Sequence, residues 1–358
     1  MLFKRKPIPE TNTRNTGQTD RESISSLPPS MQSRTSTAHT AHLIGPGCMK
    51  LEADMPIWKP VDAPAVKLHP EYLKAIVCYG NVDFSTAVLC KLWHQGTQVV
   101  FLSPGGHRLL GRLQPQGNYP NLPRLQHLAA ADPKQCLSIA KTIVSDKLNA
   151  TIKSIRYYQQ QGKGIDASSH MTNLKSLTHQ AQKASRVEAL RGIEGTAAKA
   201  WFEFFRTLLP PEWSFPSRIS HPPTDPINAL LSLGYTLALS RCQQLIAAAD
   251  LDPLVGFLHE LRSGRPSLAC DVMEPLRVPM VDRWILSLLV RKQLTVDSFE
   301  QDQQTFRLKP GEFKDFIGGF EKQFLAMNGS EPSFRDQTQT RIEGIADCLR
   351  VARHSVPR

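Results

Sequence analysis

From Pro226 to Ala249 the chain carries a helical pattern that is apolar on nearly every side. Such a helix has no face suited to water, so lipid or the rest of the protein must enclose it. The segment itself argues against lipid. Its best apolar run, Ile227 to Leu239, is broken by Asn228, Ser232, Gly234 and Thr236, and no stretch of the chain approaches 18 uninterrupted apolar residues. A helical domain large enough to surround a central helix is therefore predicted. The start of that helix is marked by Thr224-Asp225 as a cap and Pro226 at the first helical position.

The surrounding pattern supplies the other helices. Leu137 to Tyr158 has apolar residues at three-four spacing, with Lys141, Lys147, Lys153 and Arg156 read as its polar side. Further helices are predicted over Ala184 to Leu209, near 253–263, 267–275, 279–294 and 310–326, and from Asp336 to Ala352. Ahead of them lies a different texture. Ala75 to Tyr79 and Gln98 to Leu102 are short β-branched apolar runs bounded by glycines. Between them Phe84, Val88, Leu89 and Leu92 fall at helical spacing behind Ser85 as N-cap. Ser103-Pro104-Gly105-Gly106 reads as a hairpin turn, with His107 to Leu113 as the return strand. The fold class is thus α+β. A small β-rich domain is expected over 49–115, a linker over 116–132 and a larger all-α domain over 133–358. Residues 1–48, rich in Ser, Thr, Gln and Pro, are expected to form a disordered basic tail, because they cannot bury enough surface to offset their ordering entropy.

With 43 basic and 32 acidic residues the net charge is +11. That balance favours a polyanionic partner, nucleic acid before a membrane surface. The seven cysteines include no Cys-x-x-Cys pair, which indicates neither a disulfide framework nor a structural zinc site. A reducing, cytoplasmic compartment is expected, since Lys4, Arg5 and Lys6 lead into a polar stretch and not into a signal sequence.

Three blocks set polar groups among apolar ones. Glu194 stands between Gly192 and Gly195, ahead of Trp201, Phe202, Phe204 and Phe205; the glycines suggest close backbone approach, or the glutamate is simply a surface residue. His259 follows Phe257-Leu258 and is either a ligand or a satisfied core histidine. Asp271 and Glu274, three apart, share one helical face; that face points into a cavity or at a cation, or both carboxylates are solvated, or Asp271 caps a helix or pairs with Arg277 or Arg283. Taken together, Glu194, His259 and Glu274 form a donor set suited to Mg²⁺ or Mn²⁺, with Asp271 as a spare carboxylate. In a basic protein the natural anionic substrate is a phosphodiester.

These same blocks carry a resemblance. "LRGIEGTAA" around Glu194, "PPTDPINALLSLGYTLAL" from Pro222, "LDPLVGFLHELRSGRPSLACDVMEPLR" from Leu251 and "VDR" at 281–283 occur in the order of one family. With "YGNVDFSTAVL" and "VVFLSPGGHRLLGRL" they resemble the CRISPR-associated endonuclease/integrase of spacer acquisition, the first-numbered Cas protein. The resemblance runs from about Pro70 to the C-terminus. It implies a homodimer formed largely through the β-domain, and catalytic, metal-binding roles for Glu194, His259 and Glu274, with Asp271 a further acidic position beside the metal. It implies metal-dependent transesterification on double-stranded DNA, alongside a small ferredoxin-like companion CRISPR-associated protein and without a membrane. Residues 1–48 have no counterpart in that family, and His221 stands where arginine is expected. DNA contacts are expected from Arg262, Arg265, Arg277 and Arg283 near the metal and from Arg108 and Arg112 on the hairpin. Two other readings stay open. One is a transposon-type integrase or stand-alone branched-DNA nuclease of the same fold; the other is a non-catalytic DNA-binding scaffold.

Overall fold

In the computed structural model the described residues are 40–352, apart from 70–72, 74, 107, 114–120, 162–165, 220–221, 304 and 328. The tail through residue 39, His107 and His221 lie outside them. The strand-rich part runs β1 (Thr40–Ile44), β2 (Gly47–Glu52), β3 (Met55–Pro60), β4 (Val66–Lys67), β5 (Ala75–Tyr79), β6 (Val82–Phe84), α1 (Thr86–His94), β7 (Gln98–Leu102) and β8 (Leu109–Leu113). Residues 40–48 therefore differ from the tail expected of them. They are held by a parallel ladder from β1 to β5 and by the burial of Leu43.

One sheet has the order β1-β5-β7-β8 and the other β4-β3-β2-β6. Alternation along β5 explains how they are used. Ile76 and Cys78 join Leu43, Met49, Trp58, Val88, Leu92 and Val99 in a core between the sheets and α1. Val77 and Tyr79, with Val100 and Leu102 of β7, point the other way into the core of the helices. A strand buried on both faces reads as a continuous apolar run, which is how β5 appears in the sequence. Ser85 caps α1 as predicted, and the Ser103 turn closes with Gly106 at φ +69°. A Cβ on Gly106 would stand 2.6 Å from Leu233, so glycine lets the hairpin tip seat against the helices.

The helical part comprises α2 (Asn121–Ala131), α3 (Pro133–Gln161), α4 (Ser168–Lys183), α5 (Val187–Thr207), α6 (Pro226–Ala248), α7 (Ser267–Leu276), α8 (Arg283–Val290), α9 (Pro310–Leu325) and α10 (Phe334–Ala352). The expected linker at 116–132 is thus largely α2, seated by Gln126, whose buried amide bonds the Asp252 and Val255 carbonyls. Central α6 is buried along most of its length, and the Asp225 carboxylate accepts from the Asn228 N–H at 2.8 Å. Between α7 and α8 the residues Arg277–Asp282 form a π-helical segment; Pro275 and Pro279, which lack N–H groups, disturb the regular ladder there. Strands β9 (Phe299–Asp302) and β10 (Thr305–Leu308) pair as a hairpin alongside α6.

Residues 253–263, expected as a helix, are irregular. The cause is the Asp271 carboxylate on α7, which accepts the backbone N–H groups of Phe257, Leu258 and His259 at 2.6, 3.0 and 3.0 Å. Those donors are therefore unavailable to helix bonds. Gly256 makes the approach feasible, since a Cβ there would lie 2.8 Å from Asp271 Oδ2. Among the described residues no helix is long and apolar enough to cross a membrane.

Candidate active site

Four elements bring the singled-out residues together. Glu194 comes from α5, Lys147 from α3, Asp271 and Glu274 from α7, and His259 from the irregular loop. Asp271 is fully buried, and its Oδ1 also pairs with His259 Nδ1 at 2.7 Å. With three backbone donors and one imidazole, its acceptor sites are filled. Asp271, expected from the sequence as a spare carboxylate, is thus engaged by protein donors and fixes the His259 ring through Nδ1. A proton on Nδ1, directed at Asp271, leaves the lone pair on Nε2. That Nε2 stands 3.8 Å from Glu274 Oε1.

Glu274 Oε2 accepts from Lys147 Nζ at 2.7 Å, and the same ammonium pairs with Glu194. Arg277 Nη2 reaches Glu274 Oε1 at 3.0 Å. Burial alone would raise the Glu274 carboxyl's pKa, but Arg277 and then Lys147 outweigh it and hold it well below the usual carboxylate range. Burial likewise works against the Lys147 charge, yet Glu274 and Glu194 together raise its pKa above the ordinary value. Lys147 is a correction to the sequence reading, which put it on the polar side of its helix; its side chain is only 5% exposed. The available signal was its phase, in step with Ala140, Ile143, Val144, Thr151 and Ile155 along the buried stripe.

The cluster opens on one side, where the Glu194 and His259 side chains are each 20% exposed. Gly192 and Gly195 were expected to mark close approach. A Cβ on either would meet nothing within 4 Å, so they leave the flank of Glu194 open. Behind the cluster the Arg277 guanidinium lies 4.9 Å from the Tyr235 ring centre, and Arg218 lies 5.3 Å from it. The Tyr235 hydroxyl and the Trp201 indole N–H donate to Asp282 at 2.6 and 2.7 Å. Burial nevertheless pushes the Asp282 carboxyl up to about 7. Sequence reasoning missed Arg218, which also donates to Asn228 at 2.9 Å and Ser232 at 3.1 Å.

The other cations separate. Arg283 lies 4.1 Å from the Tyr157 ring centre, lining a cavity of about 620 Å³ with Lys153, Arg291 and Arg341. Arg262 is exposed, Arg265 bonds the Glu260 carbonyl, and Arg108 and Arg112 belong to the β7–β8 hairpin, with Arg112 partly buried. Among the described residues no three His, Cys, Asp or Glu side chains form a ready metal-ligating group. The donor chemistry fits a divalent cation all the same: the Glu194 and Glu274 carboxylates share one small cation, the Lys147 ammonium, and His259 Nε2 stands 3.8 Å from Glu274.

The strand-rich part followed by the helical part is a fold with known relatives. TM1797, a CAS1 protein from Thermotoga maritima, superposes with a TM-score of 0.78 at 22% identity, covering 87% of this chain and 97% of that one. The Cas6-RT-Cas1–Cas2 complex contains a chain that superposes with a TM-score of 0.77 at 23% identity, covering 88% of this chain and 35% of that one. In sequence, the CRISPR-associated endonuclease Cas1 3 of Thermus thermophilus is 34% identical over 249 residues, 70% of this chain and 73% of that protein. The family described as CRISPR associated protein Cas1 matches residues 46–322. The chain belongs to the Cas1 family.

Proposed function

We propose that this protein is a metal-dependent DNA endonuclease/integrase of CRISPR adaptation. The 3′-hydroxyl of a short DNA duplex attacks a phosphodiester at the border of a CRISPR repeat. A new P–O bond forms there, and the 3′-oxygen of the cut strand leaves and takes up a proton. Glu194, His259 and Glu274 are the residues that hold Mg²⁺ or Mn²⁺. Such an ion supplies positive charge to the phosphoryl oxygens and orients the reacting groups. Asp271 keeps His259 in the tautomer whose Nε2 faces the site, and Arg277 neutralises part of the charge on Glu274. Arg262 and Arg265, after His259 in the same loop, and Arg283 beside Tyr157 are candidate phosphate contacts, with Arg108 and Arg112 on the hairpin as further candidates. A homodimer joined by a small ferredoxin-like companion, acting in the cytoplasm, completes the reading; the Cas1–Cas2 assembly named above supports the companion.

One observation carries this reading: His259 Nδ1 is committed to Asp271 while Nε2 stands 3.8 Å from a carboxylate that shares an ammonium with Glu194. The test is strand transfer. Protein, a short duplex with free 3′-hydroxyls and a supercoiled plasmid bearing a leader and repeat are incubated with Mn²⁺ or Mg²⁺, with and without companion. Joined products at the repeat borders are expected from wild type and absent from His259→Ala. Joining scattered outside the repeat points to a transposon-type integrase or a branched-DNA nuclease. No joining at all, with tight salt-sensitive DNA binding, points to a scaffold.

A further inference from the structure

We infer that the Lys147 ammonium is a built-in place-holder for the divalent cation: it keeps Glu194 and Glu274 together before loading and leaves when the metal enters. This rests on the reading of Glu194, His259 and Glu274 as the metal's ligands. Lys147 lies in the apolar stripe of α3, where an aliphatic residue would satisfy packing. A lysine is costly there unless its charge is used. Its Nζ contacts carboxylates from two separate helices, α5 and α7, and so holds together a pair that would otherwise repel.

The charge balance gives the exchange a direction. Glu194, Asp271 and Glu274 are three anions; Lys147 contacts Glu194 and Glu274, Arg277 contacts Glu274, and Asp271 is held by His259 and backbone N–H groups. The cluster is one positive charge short, and replacing the ammonium by a divalent ion between the same carboxylates makes up that charge. Keeping both cations there would overshoot and crowd two positive centres into one gap. An exit is present as well. Glu194 is partly exposed, the Gly192 and Gly195 positions beside it face open space, and a lysine stem has four rotatable methylenes.

The experiment titrates Mn²⁺ calorimetrically into metal-stripped full-length wild type, Lys147→Met and Lys147→Gln, and follows thermal unfolding with and without Mn²⁺. Glutamine keeps an amide donor between the carboxylates and serves if the methionine variant does not fold without metal. Without metal the variants are expected to melt below wild type. They should bind Mn²⁺ about ten-fold or more tightly, since wild type must first give up a buried ion pair. Their gain in melting temperature on adding Mn²⁺ should exceed that of wild type. A lysine with a purely structural role would lower the melting temperature and leave the affinity alone. Wild-type crystals grown with Mn²⁺ give a direct reading: Nζ is expected beyond hydrogen-bond distance of both carboxylates. Unchanged or weaker affinity in the variants, or an ammonium still seated beside the metal, overturns the exchange alone. No Mn²⁺ binding by any form, wild type included, overturns both the exchange and the metal-site reading.

Discussion

Among the described residues, two clusters of buried charge are built to opposite specifications. At the joint between the β1 sheet and the helices, Arg241 of α6 pairs with Glu321 of α9, its Nε donating to Oε1 at 3.1 Å. The same carboxylate meets His42 Nε2 at 3.1 Å, and His42 Nδ1 meets the Tyr79 hydroxyl at 3.0 Å. Arg241 also bonds Thr40 and, at 2.9 Å, Gln244. One carboxylate and one guanidinium balance, and Arg241 and Glu321 are almost wholly enclosed. The Lys147 cluster instead has a surplus of acid, an opening at Glu194 and His259, and a cation on a flexible stem. Balance and closure make a fastening; surplus and access make a site.

The largest effect that tests this contrast belongs to the fastening. Glu321→Ala leaves Arg241 buried without its partner and is expected to lower stability by about 3–5 kcal/mol, read by urea unfolding. Replacing Arg241 and Glu321 together by methionine should restore most of that loss. If the double variant is as unstable as the single one, the joint is more than a balanced pair. Next in size is Asp271→Asn. An amide supplies one acceptor oxygen where the carboxylate serves four donors, and it no longer enforces the His259 tautomer. Mn²⁺ affinity should fall roughly 10- to 100-fold, as is usual for residues that orient a ligand. Unchanged affinity would detach Asp271 from the site. The smallest effect is expected at Gly195→Ala. The added methyl meets nothing within 4 Å and sits inside α5, so stability should rise by about 0.5–1 kcal/mol. Strand joining, in contrast, should slow if DNA passes along that open flank; an unchanged rate would show that the glycine serves no approach.

The sequence disclosed elements whose causes are local. The apolar run of α6, its Asp225 cap, the doubly buried β5 and the Ser85 cap each follow from neighbouring residues. What it concealed depends on partners far along the chain. Phe257 and Leu258 look like part of a helix until Asp271, more than ten residues later, claims their N–H groups. Thr40 to Ile44 looks like tail until β5 offers it a ladder. Helix α4 and the β9–β10 hairpin were not anticipated at all, because their short apolar patterns gain meaning only against α3, α5 and α6. Glu194, His259 and Glu274, which the structure links through Lys147 and Glu274 into one cluster, stood out together in the sequence as candidates. Lys147 did not, since a lysine in a helix is ordinarily solvated and only its phase marked it as buried.

The two-sided burial of β5 and β7 bears on how the molecule is divided in the laboratory. A chain cut near residue 120 would keep every strand of both sheets, yet Val77, Tyr79, Val100 and Leu102 would lose the layer that covers them. The fragment would present an apolar sheet face to water, with α6 stripped of the same contact on the other piece. Handling the strand-rich part as a separate reagent, for a binding assay or a crystal, therefore calls for a substitute cover or polar replacements at those four positions.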